Sequence, residues 1–179
     1  MNVSIFGGSQ VEPGSPAYEE ARELGRLLAE AGHTVLTGGY IGMMEAASRG
    51  ANEAGGHVIG VTCTEIEAWR PIRANDWVKE ERKTGTLLER LRALIDGCDA
   101  AIALPGGPGT LAEIALTWNL MIIDACRRRL VLVGEGWEEV FRLMFEAQAE
   151  FVPEGQRAML RFSRDCRSAV RMLQDPILR

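Results

Sequence analysis

At 179 residues, with 46% apolar residues and a mean hydropathy of −0.04, the chain has the length and balance of one well-buried globular domain rather than a disordered protein. No apolar run reaches the roughly 20 residues that a bilayer-spanning helix needs, and Met1-Asn2-Val3-Ser4-Ile5-Phe6 is too short and uncharged for a signal peptide, so a cytoplasmic protein with no membrane partner is expected. A net charge of −5 argues against a nucleic-acid polymer as partner.

In chain order, short apolar runs that end in glycine alternate with helical patterns. The first strand, Val3 to Phe6, stops at Gly7-Gly8-Ser9. Ser15 is placed to cap a helix with Pro16 at its first position, and Ala17, Ala21, Leu24, Leu28 and Ala31 recur at spacings of three and four before Gly32 closes it. A second strand, Thr34 to Thr37, runs into Gly38-Gly39-Tyr40-Ile41-Gly42, and the helix after it extends from Met43 to about Glu53, ahead of Gly55-Gly56. A third strand covers His57 to Thr62.

From Cys63 to Lys83 the pattern is irregular and rich in Trp, Pro and Glu; it reads as a long loop over one sheet edge, of the length that usually serves as a lid or binding segment. Thr86-Leu87-Leu88-Glu89 is a capping box opening a helix to about Asp96. A fourth strand, Asp99 to Leu104, meets Pro105-Gly106-Gly107-Pro108-Gly109-Thr110, and a helix from Leu111 to about Asp124 leads to a fifth strand, Leu130 to Val133. The remainder reads as helical, Trp137 to about Glu150 and Arg164 to about Leu173. This alternation predicts a single three-layer, Rossmann-like α/β domain over residues 1–179, with a mainly parallel sheet and helices on both faces.

Where a strand feeds a helix through a glycine turn, backbone N–H groups and the helix N-terminus converge on one point and attract an anion. Two such turns, Gly38 to Gly42 and Pro105 to Thr110, predict a phosphate site at the carboxyl edge of the sheet; the alternative is that the glycines only permit tight turns. The second turn lacks the Gly-Lys-Ser/Thr ending of a P-loop, and the first lacks a full Gly-x-Gly-x-x-Gly, so triphosphate hydrolysis and a dinucleotide cofactor are disfavoured. Cys63, Cys98, Cys126 and Cys166 are scattered, with only His33 and His57 beside them; they read as small core residues, with neither disulfides nor a metal site. Of the 20 basic residues only Lys79 and Lys83 are lysines, which leaves little for a Schiff-base cofactor such as pyridoxal phosphate. No cofactor is expected.

Leu104-Pro105-Gly106-Gly107-Pro108-Gly109-Thr110-Leu111-Ala112-Glu113 resembles the Pro-Gly-Gly-x-Gly-Thr-x-x-Glu motif of the LONELY GUY (LOG) family, the cytokinin riboside 5′-monophosphate phosphoribohydrolases once labelled lysine decarboxylases. Thr37-Gly38-Gly39-Tyr40-Ile41-Gly42-Met43-Met44 is similar to the family's Gly-Gly-Gly-x-x-Gly-x-Met turn, and Phe6-Gly7-Gly8-Ser9 to its first strand ending. The resemblance runs over about residues 3 to 145. It implies hydrolysis of the N-glycosidic bond of a nucleoside 5′-monophosphate, of cytokinin riboside monophosphate or AMP type, to base and ribose 5-phosphate.

Carried over residue by residue, the resemblance makes Glu113 the catalytic carboxylate. Arg90, 15 residues before Pro105, is the family arginine; the Arg82-Lys83 pair lies eight residues too early. Gly106, Gly107, Gly109 and Thr110 would bind the phosphate, with Gly38, Gly39, Gly42, Met43 and Ser9 as further substrate contacts. There are two departures: Leu91 replaces the family lysine, and Tyr40 replaces the middle glycine. Each assignment has a plainer alternative: Thr110-x-x-Glu113 fits a capping box, and Arg90 fits a solvated helix face. The helix from Leu111 is apolar around most of its girth, which implies a homodimer seam, as in the family, or burial under the C-terminal helices. The second functional reading is a non-catalytic nucleotide or cofactor binder resembling molybdenum-cofactor carriers, which Leu91 keeps open.

Overall fold

The structure is a computed structural model that describes residues 1–123 and 128–174. Its elements are β1 (Asn2–Phe6), α1 (Pro16–Glu30), β2 (Thr34–Thr37), α2 (Met43–Glu53), β3 (Val58–Cys63), α3 (Thr64–Trp69), β4 (Glu80–Thr84), α4 (Leu87–Asp96), β5 (Ala100–Ala103), α5 (Pro108–Ile122), β6 (Arg129–Val133), α6 (Glu135–Ala147), α7 (Glu154–Arg157), β7 (Leu160–Ser163) and α8 (Cys166–Met172). The strands form one seven-stranded sheet in the order β4-β3-β2-β1-β5-β6-β7, and every pairing is parallel. It is the Rossmann-like α/β architecture expected.

Period-two alternation along the strands divides the core between the two faces. Val3 and Ile5 of β1 face one layer, where Tyr18, Leu24 and Leu28 of α1, Met43 and Ala47 of α2, and Ala169 and Val170 of α8 pack. Phe6, Leu36, Val61 and Leu132 face the other, under Leu94 and Ile95 of α4, Ile114 and Trp118 of α5, and Trp137 and Phe141 of α6. The chain starts in the middle of the sheet, winds outward to β4, then returns to lay β5 against the free side of β1. The connections after β1 and β5 therefore diverge to opposite faces and open a crevice at the carboxyl edge between them.

Local signals account for several element ends. Ser15 accepts a hydrogen bond from the Tyr18 N–H, with Pro16 at the first position of α1, and the Thr86/Glu89 capping box of α4 closes in both directions. Three expectations are corrected. The segment read as a loop, Cys63 to Lys83, contains α3 and the edge strand β4. Glu80-Glu81-Arg82-Lys83-Thr84 carries no apolar side chain, so alternation could not reveal it; the backbone ladder to β3 and polar contacts such as Thr62 Oγ1 to Glu81 (2.6 Å) hold it. Charge on an edge strand also blocks pairing with other chains. The C-terminal region read as helical contains the four-residue strand β7, paired with β6. Helix α5 begins at Pro108, three residues before Leu111, because proline suits the first helical position. Its expected end at Asp124 and the core role expected of Cys126 lie outside the described residues; Cys63, Cys98 and Cys166 are buried free thiols.

Candidate active site

The three glycine turns meet at the crevice. The Gly8 N–H donates to the Pro105 carbonyl (3.1 Å), joining the turns after β1 and β5, and the Met43 N–H donates to the Gly8 carbonyl (3.0 Å), joining that after β2. Between them lies a cleft of about 760 Å³. Ser9, Met43, Gly106, Gly107, Gly109 and Thr110 line it, as do Arg90 and Glu113. Gly38, Gly39 and Gly42 do not; they are buried behind the wall.

These three glycines shape the cleft from behind. A Cβ on Gly38 would sit 1.8 Å from Arg90 Nη2, so only glycine lets the guanidinium lie on this backbone. Gly42, at φ +72°, caps α2 from a left-handed conformation, and a Cβ there would lie 2.7 Å from the Gly8 carbonyl oxygen. The Gly39 and Tyr40 carbonyls accept from Asn75 Nδ2 (3.0 and 2.8 Å), which ties the turn to the loop before β4.

The first turn of α5 is an open anion seat. Its N-cap is Gly107, no side chain caps it, and among the described residues the N–H groups of Gly109 and Thr110 have no partner, while Leu111 already donates to Gly107. With the helix dipole, those amides favour a bound phosphate. Because Thr110 is the third residue inside the helix, the capping-box alternative for Glu113 does not hold; the carboxylate accepts no hydrogen bond among the described residues and faces the cleft.

Glu113 is 8% exposed and Arg90 6%. Burial pushes the Glu113 carboxyl up to about 7, with the Arg90 charge opposing part of the rise. Arg90 stands on the buried face of α4, which rules out a solvated helix face. Its Nε donates to the Val61 carbonyl (2.8 Å) and its Nη2 to the Gly38 carbonyl (2.9 Å), and the guanidinium lies over the Tyr40 ring at 5.4 Å. Tyr40 is fixed in turn: its hydroxyl accepts from the Cys63 N–H (2.6 Å). No ion pair involves Arg90 among the described residues, so a positive and a titrating acidic group line one cleft without neutralising each other.

The departures from the expected pattern are visible in three dimensions. Leu91 is buried and does not line the cleft. Arg82 and Lys83 are exposed on β4, bonded to Glu80 (2.7 Å) and Glu67 (2.9 Å), and Lys79 donates to the Gly56 carbonyl (2.9 Å), so neither lysine reaches the cleft. The segment expected to serve as a lid or binding segment supplies a wall of the cleft, through Ile66, Trp69, Arg70 and Ile72, although sequence reasoning assigned none of the four as site residues. The only signal was an aromatic and a cation, Trp69-Arg70, ahead of Pro71 in a segment without periodicity. The other tryptophan of this segment, Trp77, does not line the cleft; Arg49 lies over its ring at 5.4 Å.

The remaining outer surface of α5 is divided. Trp118 packs edge-on against Phe141 of α6 (5.8 Å), so the C-terminal helices cover one flank. Leu111, Ala112 and Ala115 stay exposed, and the neighbouring helix α4 carries exposed Leu87 and Leu88. No helix among the described residues is long and apolar enough to cross a membrane.

A sequence profile of the SLOG cluster4 family matches residues 1–135. The chain is 30% identical over 177 residues to the probable cytokinin riboside 5′-monophosphate phosphoribohydrolase LOGL9 of Oryza sativa subsp. japonica, covering 97% of this chain and 77% of the relative. It is 35% identical over 124 residues to the cytokinin riboside 5′-monophosphate phosphoribohydrolase of Mycobacterium tuberculosis, 66% of this chain and 65% of the relative. Among solved structures, the molybdenum cofactor carrier protein of Chlamydomonas reinhardtii superposes with a TM-score of 0.71 at 26% identity, over 96% of each chain.

Proposed function

The chain belongs to the SLOG cluster4 family and to the LONELY GUY (LOG) family, and from that membership we propose that it is a cytoplasmic phosphoribohydrolase that splits a nucleoside 5′-monophosphate, of cytokinin riboside monophosphate or AMP type, into base and ribose 5-phosphate. One observation carries the reading: a buried carboxyl and a buried guanidinium that forms no ion pair among the described residues share a cleft with helix N-terminal amides that have no partner among those residues.

Breaking the N-glycosidic bond leaves positive charge on C1′ and the ring oxygen of the ribose, and water then adds at C1′ while the base departs with its electron pair and takes up a proton. The ionised Glu113 carboxylate stabilises the developing cation and accepts a proton from the attacking water. The amides of Gly109 and Thr110, with Gly106 and Gly107 allowing close approach, hold the 5′-phosphate. Arg90, fixed by Val61, Gly38 and Tyr40, adds a cation with donors to spare for the phosphate or the leaving base. Ser9 and Met43 contact the substrate along the same wall. The placement of both lysines away from the cleft speaks against a lysine Schiff base.

Incubation with AMP or isopentenyladenosine monophosphate, with ribose 5-phosphate as the readout, tests the reading. The wild type is expected to release ribose 5-phosphate, and Glu113→Gln to lose at least about 100-fold in rate with its fold intact, the scale of a positioned acid–base group. Absence of product from the wild type with either nucleotide would rule it out.

Leu91 favours a second reading. With the family lysine replaced by a buried leucine, a non-catalytic binder like the molybdenum cofactor carriers keeps the seat without the chemistry. Tight binding of a nucleotide or pterin cofactor without turnover selects it.

We also propose a homodimer, seamed along the exposed Leu87, Leu88, Leu111, Ala112 and Ala115 of α4 and α5.

A further inference from the structure

Helix α3 contributes no buried residue, so core packing does not explain it. Its acidic side chains are committed to holding it in place. Glu65 accepts from the Leu87 N–H at the start of α4 (2.7 Å), and Glu67 pairs with Lys83 on β4 (2.9 Å). The backbone adds the Glu65 N–H to the Gly85 carbonyl (3.2 Å). What this anchoring presents to the cleft is Ile66, Trp69 and Arg70, with Ile72 just beyond.

Arg70 ends the helix because Pro71 follows: a residue before proline is driven out of helical conformation, and Arg70 sits at φ −136°, ψ 119°. Its N–H is used by the Ile66 carbonyl (2.9 Å), but its half-buried guanidinium makes no hydrogen bond or ion pair among the described residues, although Glu65, Glu67, Arg73 and Asp76 nearby all find partners. An arginine left unpaired in a chain otherwise dense in Arg–Glu pairs is conspicuous. The charged residues lining the cleft are Arg70, Arg90 and Glu113. A doubly charged phosphate beside a carboxylate is better balanced by two cations than by one, and position 91, where the family resemblance implies a lysine, holds a buried leucine that does not line the cleft.

We propose that Arg70 is a ligand-contacting residue that supplies this second cation, meeting the phosphate of the bound nucleotide from the α3 wall and replacing the charge lost at Leu91. The inference rests on the nucleotide-binding reading above but not on turnover. Equilibrium binding of AMP and of adenosine tests it, in the Glu113→Gln background so that no ligand is consumed, at low and high salt. Adding Arg70→Ala is expected to weaken AMP binding about tenfold at low salt, the scale of one charge-assisted hydrogen bond, and to flatten its salt dependence while leaving adenosine binding unchanged. Arg70→Lys should recover part of the loss, and because the guanidinium makes no hydrogen bond or ion pair among the described residues the unfolding midpoint should move little. Unchanged AMP affinity, or equal weakening for AMP and adenosine, overturns the proposal. The two readings fail separately: binding that depends on Arg70 with no ribose 5-phosphate from the wild type removes the enzyme and keeps the cation, whereas hydrolysis with AMP affinity indifferent to Arg70 does the opposite.

Discussion

In the proposed reaction, Glu113 would tie activity and stability to opposite sides of one ionisation. Its carboxyl titrates near 7 in the folded chain against an ordinary value of 4.5, because burial disfavours the charged form. A folded-state pKa above the unfolded one means that folding takes up a proton between those two values, so the residue costs no stability below about pH 4.5 and a growing amount up to about pH 7, reaching on the order of 3 kcal/mol. Glu113→Gln removes that cost. The variant should therefore unfold at a higher temperature than the wild type at pH 8, and the difference should vanish near pH 4.5. The wild-type rate should follow the carboxylate, rising with pH through about 7. Thermal unfolding of both proteins across pH decides it; a gap that does not change with pH would mean that Glu113 is not held in the uncharged form by its surroundings. At this scale the motif spacing made Glu113 and Arg90 legible, but not the roles of the glycines. Gly38 looked like a ligand contact, yet a glycine is needed wherever anything lies flat on the backbone, and here that is the Arg90 side chain.

Elements were legible where they bury an apolar face. The five inner strands and α1, α2 and α4 announce themselves by period and caps. Strand β4 carries no apolar side chain and α3 has no fully buried residue, so neither leaves a periodic trace; both are held by polar contacts to neighbours distant in sequence, such as Glu65 to the Leu87 N–H (2.7 Å). Helix α4 shows what a local signal contributes to the site. Its Thr86/Glu89 box satisfies donors at the start of the helix whose next turn carries Arg90 on the buried face. Thr86→Ala leaves those donors to water and is expected to cost about 1 kcal/mol of stability. In a denaturant titration this lowers the midpoint without changing the slope, while Thr86→Ser, which keeps the acceptor, stays close to wild type. A Thr86→Ala protein as stable as the wild type would show that tertiary packing alone fixes α4.

At the scale of the whole molecule, the strand order places the site. Reversal of winding between β1 and β5 opens the crevice, and the same reversal sends α4 and α5 to one face as neighbours, each with exposed leucines, Leu87 and Leu88 on α4 and Leu111 on α5. Leu88 is 76% exposed, far more than a leucine on a stable helix gains by meeting water, and Leu87 also lines the cleft. A partner covering this patch would therefore stand at the mouth of the site, and assembly and catalysis would report on each other. The dimer is expected by light scattering at micromolar concentration, with Leu88→Glu and Leu111→Glu together giving a monomer, because paired like charges in an apolar seam lose their hydration without compensation. That monomer should keep its fold, since neither side chain belongs to either core cluster, but show a raised KM through exposure of the cleft mouth. A wild type that scatters as a monomer removes the seam, and a charged double variant that still scatters as a dimer moves it to another face.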